Sequence, residues 1–117
     1  MDNKKYVFVY GTLMRNYRNH GYMNDSAYIG DGSIDGFEIY DLGTYPGIIE
    51  GKGVVLGEVY QITEDTEKRL DFLEEEGSLY LKKQVNVRVD DNQTITAFVY
   101  VYNKDVSGCK KLDCKYL

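Results

Sequence analysis

Lys5-Tyr6-Val7-Phe8-Val9-Tyr10 is apolar nearly throughout and halts at Gly11-Thr12-Leu13. A strand without polar alternation must be covered on both faces, so this segment reads as the centre of a sheet. Val54 to Ile62 is a second long strand, with Gly57 as a bulge or close-approach point. Phe37-Glu38-Ile39-Tyr40-Asp41-Leu42 alternates with period two and reads as half-buried. Ala27 to Ile34 is a weaker strand, broken by Gly30 and Gly32, and Ile48-Ile49-Glu50 a short one. Gly43-Thr44-Tyr45-Pro46-Gly47, which holds the sole proline, is a turn. Leu79 to Val89 and Thr94 to Tyr102, joined by Asp90-Asp91-Asn92-Gln93, form a long antiparallel hairpin. Residues 14 to 25 read as a polar loop or short irregular helix, and Asn103 to Leu117 as a polar tail without a clear period. So many strands must hide their edges, and closure into a small barrel does so most economically.

One helix stands out. Thr63 is a plausible N-cap, and Glu64 and Asp65 suit the positive end of the helix dipole. The pattern runs through Leu70, Phe72 and Leu73 to Glu74-Glu75-Glu76, and Gly77 offers a stop.

Length and composition exclude several classes. The 117 residues suit one domain, 1–117, and 43% hydrophobic residues permit a packed core. Fourteen Lys and Arg against nineteen Asp and Glu give a net charge of −5. No basic patch is visible, which argues against nucleic-acid partners and against an anionic membrane surface. No apolar run approaches the roughly 20 residues that span a bilayer, and Met1-Asp2-Asn3-Lys4-Lys5 does not open a signal peptide. A cytoplasmic protein is expected. His20 is the only histidine, and Cys109 and Cys114 are the only cysteines. That supply suits neither a zinc site nor a disulfide scaffold. No phosphate-cradling GxxxxGK[ST] loop occurs. Chemistry, if present, rests on carboxylates, tyrosines and backbone amides.

Three groups could carry it. Where the first strand exits at Tyr10-Gly11-Thr12-Leu13, a glycine lets successive amides face one point, as an anion or oxyanion site requires. At the helix end, carboxylates sit against the unfavourable pole of the dipole. With Leu70 and Leu73 as the apolar stripe, Glu74 falls about 70° from its centre, Glu75 about 170° and Glu76 about 90°. Glu74 is therefore the carboxylate expected at the edge of the core, where desolvation raises its pKa toward the range of a proton shuttle. The third group is the tyrosine set, Tyr10, Tyr45, Tyr80, Tyr100 and Tyr102. These serve as cross-strand packing or lend a phenol to a ligand. His20 reads as a loop residue rather than a base.

These pieces together resemble the gamma-glutamylcyclotransferase-like family, which includes the gamma-glutamylamine cyclotransferases. Tyr10-Gly11-Thr12-Leu13 is similar to the family's signature loop, and Asn19-His20 follows it. Tyr40 to Gly47 resembles its strand and Tyr-Pro turn, and Val55-Leu56-Gly57-Glu58-Val59-Tyr60 its central strand. Leu70-Asp71-Phe72-Leu73-Glu74 with Leu79-Tyr80 resembles its helix with the catalytic acid, and Ala97 to Tyr102 its late strand. The match runs over roughly residues 5 to 103.

The resemblance implies an α+β fold: a small mixed, mainly antiparallel β-barrel with one main helix and short flanking helices. It also implies release of 5-oxoproline from a small gamma-glutamyl compound, by attack of the substrate's own alpha-amine on its gamma-carbonyl. That chemistry needs no protein nucleophile, metal or cofactor. Glu74 would be the catalytic acid/base, and Tyr10, Gly11, Thr12, Leu13, Tyr45, Tyr80 and Tyr100 would bind substrate. Two departures bear on the site. Asp113-Cys114-Lys115-Tyr116 stands where many relatives carry a Gly-Asp-Trp-like ending, and Leu81 intervenes between Tyr80 and Lys82. The same pocket could serve a binding module that holds an acidic or amino-acid-like metabolite without turnover. An interaction protein, by contrast, would have no pocket.

Overall fold

The computed structural model of the chain describes residues 4–89 and 93–116. The strands are β1 (Lys5–Val9), β2 (Ala27–Asp41), β3 (Pro46–Ile62), β4 (Tyr80–Val89), β5 (Gln93–Tyr102) and β6 (Lys110–Lys111). The helix α1 is Glu64–Leu73, and a 3-10 turn covers His20–Met23. Five strands follow one another in the order β3-β1-β5-β4-β2, and β2 pairs back onto β3, so the sheet closes on itself. The β1–β5 pair is parallel, through Val7 and Phe98, and the other pairs are antiparallel. This is the mixed, mainly antiparallel barrel that was expected.

β1 is central, flanked by β3 and β5. Its alternation sorts side chains into two layers. Phe8 packs into the barrel interior with Ile34, Ile39, Ile48, Val55, Val59, Val87 and Val99. Val7 and Val9 face outward into a second apolar layer with Leu13, Met14, Met23, Tyr60, Leu70, Tyr80 and Tyr100. The helix and the loop after β1 lie over this second layer, which is where the site forms.

Three local expectations are revised. The segments on either side of Gly36 join into one strand, β2, with irregularities between Tyr28 and Gly30 and between Asp35 and Phe37. Gly30 and Gly32 do not break it. They make room for the seam where β2 meets β4, since a Cβ at Gly32 would lie 2.6 Å from Val87 Cγ1. The short strand at Ile48 likewise belongs to the seventeen-residue β3. Finally, the tail is ordered against the barrel. β6 pairs with Tyr40 and Asp41, and Leu112 N donates to the Ile39 carbonyl (2.8 Å).

The hairpin pairs from Tyr80 with Tyr102 to Val89 with Gln93. Its expected turn at Asp90-Asp91-Asn92 lies outside the described residues. Gly57 marks a close approach, not a bulge, because a Cβ there would fall 2.3 Å from the Val9 carbonyl oxygen. No helix among the described residues is long and apolar enough to cross a membrane.

Candidate functional site

β1 leads directly into the turn Gly11–Met14, which is closed by Met14 N donating to the Gly11 carbonyl (3.0 Å). Gly11 is needed for contact: a Cβ there would lie 2.7 Å from Pro46 Cγ. The β1 exit is thereby pressed against the Tyr45-Pro46 turn. From the other side, Asn19 holds Thr12 twice, Nδ2 to Oγ1 and backbone N to carbonyl, both at 2.9 Å. A ring nitrogen of His20 lies 2.9 Å from the Leu13 carbonyl, which fixes Nδ1 as the protonated nitrogen. His20 is therefore a loop fastener, as its sequence context suggested. Among the described residues, the amides of Gly11, Thr12 and Leu13 donate to no protein acceptor, although all three residues are buried. Buried amides are normally paired, so a run of three open ones is a donor set awaiting an acceptor.

The carboxylate facing them is placed by the way α1 ends. Thr63 caps the start, its Oγ1 accepting from Thr66 N (3.2 Å). Thr66 and Leu70 are fully buried, and Glu74 continues their four-residue spacing. The inward stripe therefore runs through Thr66 and Leu70, and Leu73 and Glu74 lie half-buried at its end. The helix stops earlier than Gly77. Glu74 is the C-cap, Glu75 takes the left-handed conformation (φ 49°), and Glu76 N donates to the Asp71 carbonyl (2.9 Å). This is a Schellman closure with glutamate where glycine is usual. It turns the chain sharply and leaves Glu74 on the inner side.

Phe8, Val9, Tyr10, Gly11, Thr12, Leu13, Tyr45, Pro46, Glu74, Tyr80 and Tyr100 surround one small cavity of about 30 Å³. All eight residues expected to form the site thus meet at one place. A wider cavity of about 180 Å³ adjoins it and shares Thr12, Tyr45, Glu74 and Tyr80, with Arg18, Asn19 and Glu75 at its outer wall. Glu74 stands at the junction of the two chambers.

The tyrosines divide by what their hydroxyls do. Tyr10 donates to the Tyr100 carbonyl, Tyr80 to the Pro46 carbonyl and Tyr100 to Asp71 Oδ1, each at 2.7 Å. Their O–H donors are already committed, and their rings and phenolic oxygens form the walls. Burial pushes all three phenols far above the usual range, so they stay neutral. Tyr45 makes no hydroxyl bond among the described residues, which leaves its phenol free to meet a ligand.

Two positioning groups were not among the expected site residues. Asp71 holds Tyr100 and also accepts from Lys82 Nζ (3.0 Å), which in turn reaches Glu67 (2.6 Å). Lys5 Nζ closes on the other Glu67 oxygen (2.7 Å), so a chain of ions ties α1 to β1 and β4. Pro46 supplies a carbonyl to Tyr80 and a ring face to Gly11. The sequence marks Pro46 as a turn residue and Asp71 as part of the helix motif, but the partners of both are remote and leave no local signal.

The Glu74 carboxyl makes no hydrogen bond or ion pair among the described residues. Desolvation alone pushes its carboxyl up to about 7. The native state therefore keeps a proton that the unfolded chain releases near pH 4.5, and stability from this group is present below that pH and lost as pH rises through about 7. Urea unfolding should show Glu74→Gln matching the wild type at pH 4 and exceeding it by about 1–3 kcal/mol at pH 8. Equal stabilities at pH 8 would mean the carboxylate is well solvated.

Residues 7–116 match the family model described as gamma-glutamyl cyclotransferase, AIG2-like. The gamma-glutamylcyclotransferase family protein YtfP of Escherichia coli K12 is 36% identical over 107 residues, 92% of this chain and 90% of that one. A gamma-L-glutamyl-butirosin B gamma-glutamyl cyclotransferase of Niallia circulans is 33% identical, over 85% of this chain and 67% of its own. The crystal structure of an AIG2-like protein from Mus musculus superposes with a TM-score of 0.86 at 28% identity, covering 99% of this chain and 90% of that one. By the family match over nearly its whole length, the chain belongs to the AIG2-like gamma-glutamyl cyclotransferase family.

Proposed function

We propose that the protein releases 5-oxoproline from a small gamma-glutamyl amide, with Glu74 as the acid/base. The observation that carries this reading is an unpaired carboxylate with its pKa raised to about 7, sharing a cavity with three unclaimed amides. The substrate's alpha-nitrogen bonds to its own gamma-carbonyl carbon, and the ring closes. Glu74 accepts the proton that the alpha-ammonium must lose before or during this attack. The amides of Gly11, Thr12 and Leu13 hold the substrate carboxylate or the oxygen that gains negative charge. The bond from the carbonyl carbon to the leaving nitrogen then breaks as the proton on Glu74 passes to that nitrogen, and the ring nitrogen gives up its second surplus proton to water or to the departing amine, which then leaves as an ammonium. No atom of the protein is consumed. Binding in the curved, attacking conformation supplies the remainder, since amine and carbonyl belong to one molecule. The inner chamber has room for two or three water molecules, enough for one oxygen-bearing end of a ligand. The wider chamber leaves space for the departing amine, and Tyr45 and Tyr80 flank both.

A panel of gamma-glutamyl amino acids and amines, assayed for 5-oxoproline, tests the proposal. At least one member should turn over, with kcat/KM rising through a midpoint near pH 7 as Glu74 loses its proton. Binding of 5-oxoproline or glutamate by calorimetry, with no turnover of any member, would instead establish a metabolite-binding module.

A further inference from the structure

The three open amides stay open only if the turn that carries them is held from outside. Its left side is fastened by Asn19 and His20. Its right side ends at Arg15, and there a single acidic side chain from another strand takes hold. We propose that Glu58, which lines neither chamber, is a positioning residue for the Gly11–Leu13 donor set. The activity part of this inference rests on the reaction proposed above.

Glu58 lies on β3 directly across from Val9, the last residue of β1. It is 8% exposed, a carboxylate within a strand whose neighbours Val55 and Val59 are fully buried. Its oxygens accept three bonds. Arg15 donates its backbone N to Oε1 (3.1 Å) and its Nε to Oε2 (3.2 Å), and the Tyr60 hydroxyl donates to Oε1 (2.9 Å). The guanidinium also reaches Asp31 (3.3 Å) and lies 4.2 Å from the centre of the Tyr28 ring. Arg15 is thus fixed along its length.

A buried ion pair is poor evidence of stabilisation, because an apolar residue in the same space is often equal or better. A hydrophobic side chain at position 58 could not, however, bind a backbone N–H. The bond to Arg15 N comes one residue after the turn closes at Met14. It sets where the backbone of the turn leaves, just as Asn19 sets where it returns. β3 is also pressed onto β1 here, at the contact of Gly57 with the Val9 carbonyl. The carboxylate therefore has little freedom to follow if the loop moves. Oxyanion-type donors act through fixed geometry, and displacement of about 1 Å lowers rate by about 100-fold.

The test compares wild type, Glu58→Leu and Arg15→Gln. Glu58→Leu, which removes the acceptor for Arg15 N and is assayed well below its melting temperature, should lose about 10–100-fold in kcat/KM. The pH midpoint should stay where Glu74 sets it. Amide hydrogen exchange at Met14 and Arg15, the two bonded amides of the segment, should quicken about tenfold or more in the same protein. Arg15→Gln keeps the backbone bond and loses only the guanidinium, so its loss should be smaller, about threefold. A purely structural carboxylate would lower the melting temperature and leave both the loop's exchange and the kcat/KM of the folded protein within twofold of wild type, and that result overturns the proposal. If Glu58→Leu does not fold, amide exchange of the wild type decides, and an Arg15 amide that exchanges as fast as an unbonded one overturns the proposal. If wild type turns over nothing, the reaction fails, and exchange alone judges the clamp.

Discussion

Glu74→Gln is expected to reduce 5-oxoproline release by about 10²–10⁴-fold while leaving the protein folded and, above pH 7, more stable than wild type. The substitution keeps shape and volume at the C-cap and removes only the ability to exchange a proton. The buried Thr66 and Leu70 are untouched, and so is the Schellman closure, which uses only backbone. Two readouts should thus move in opposite directions. Activity falls because Glu74 is the one carboxylate lining the inner cavity, where no imidazole is present among the described residues. Tyr10, Tyr80 and Tyr100 are held neutral far above the working pH, and their hydroxyl protons are committed to carbonyls or to Asp71. His20 is engaged with the Leu13 carbonyl and lines neither chamber. Stability rises because a desolvated charge has been deleted. A loss of activity accompanied by a loss of stability would point to misfolding and would leave Glu74 without a role. Turnover equal to wild type would remove it from the mechanism directly. The pH profile gives a third, independent reading, since any residual activity of Glu74→Gln should lack the rise through about 7.

What the sequence disclosed follows from which forces are local. The strand at Lys5–Tyr10, the capped helix at Thr63 and the hairpin of Leu79–Tyr102 each announce themselves through period, cap or turn chemistry. The choice of Glu74 over Glu75 and Glu76 needed only the angle between helix positions. Long-range closure left weaker traces. Gly30 and Gly32 looked like breaks because a missing side chain reads locally as lost strand preference, yet Val87 and Val89 from β4 occupy the room they leave. The tail looked aperiodic because a two-residue strand and isolated contacts of Leu112 and Tyr116 have no period to show. Of the five tyrosines, Tyr10, Tyr45, Tyr80 and Tyr100 line the inner cavity and Tyr102 lines neither chamber, and the hydroxyl partners of Tyr10, Tyr80 and Tyr100 leave no local trace. Those partners are backbone carbonyls of Pro46 and Tyr100 and a carboxylate on α1, all remote in sequence. Glu58 was seen as part of a family-like strand and given no task, since its task depends on a loop more than forty residues away. The pattern is consistent: residue type and spacing gave the chemistry, and cross-chain pairing gave its orientation.

Leu70→Ala should lower the unfolding free energy by about 2–5 kcal/mol, the range for truncating a fully enclosed leucine. Leu70 is 0% exposed and is the one fully buried apolar side chain of α1. A ten-residue helix does not persist in water unaided, so α1 exists because something holds it. The candidates are Leu70, the Thr66–Asp25 hydrogen bond and the ion chain Lys5–Glu67–Lys82–Asp71. Those ions are partly exposed, and such pairs contribute about 0–1 kcal/mol each. Packing of Leu70 should therefore outweigh any one of them. Phe72 provides the control on the same helix, because it is 87% exposed and Phe72→Ala should change stability by no more than about 0.5 kcal/mol. Urea denaturation of the two variants separates the cases. A loss below about 1 kcal/mol for Leu70→Ala would show that the polar chain, not the leucine, seats the helix. The functional consequence follows from the spacing of four residues between Leu70 and Glu74. A void one turn below the carboxylate admits water, which relieves the desolvation that raises its pKa. In Leu70→Ala assayed while still folded, the midpoint of kcat/KM should move down from about 7 toward the ordinary glutamate range. An unmoved midpoint would locate the desolvation in the Tyr80 and Tyr100 walls instead, leaving Leu70 to hold the helix without tuning its acid.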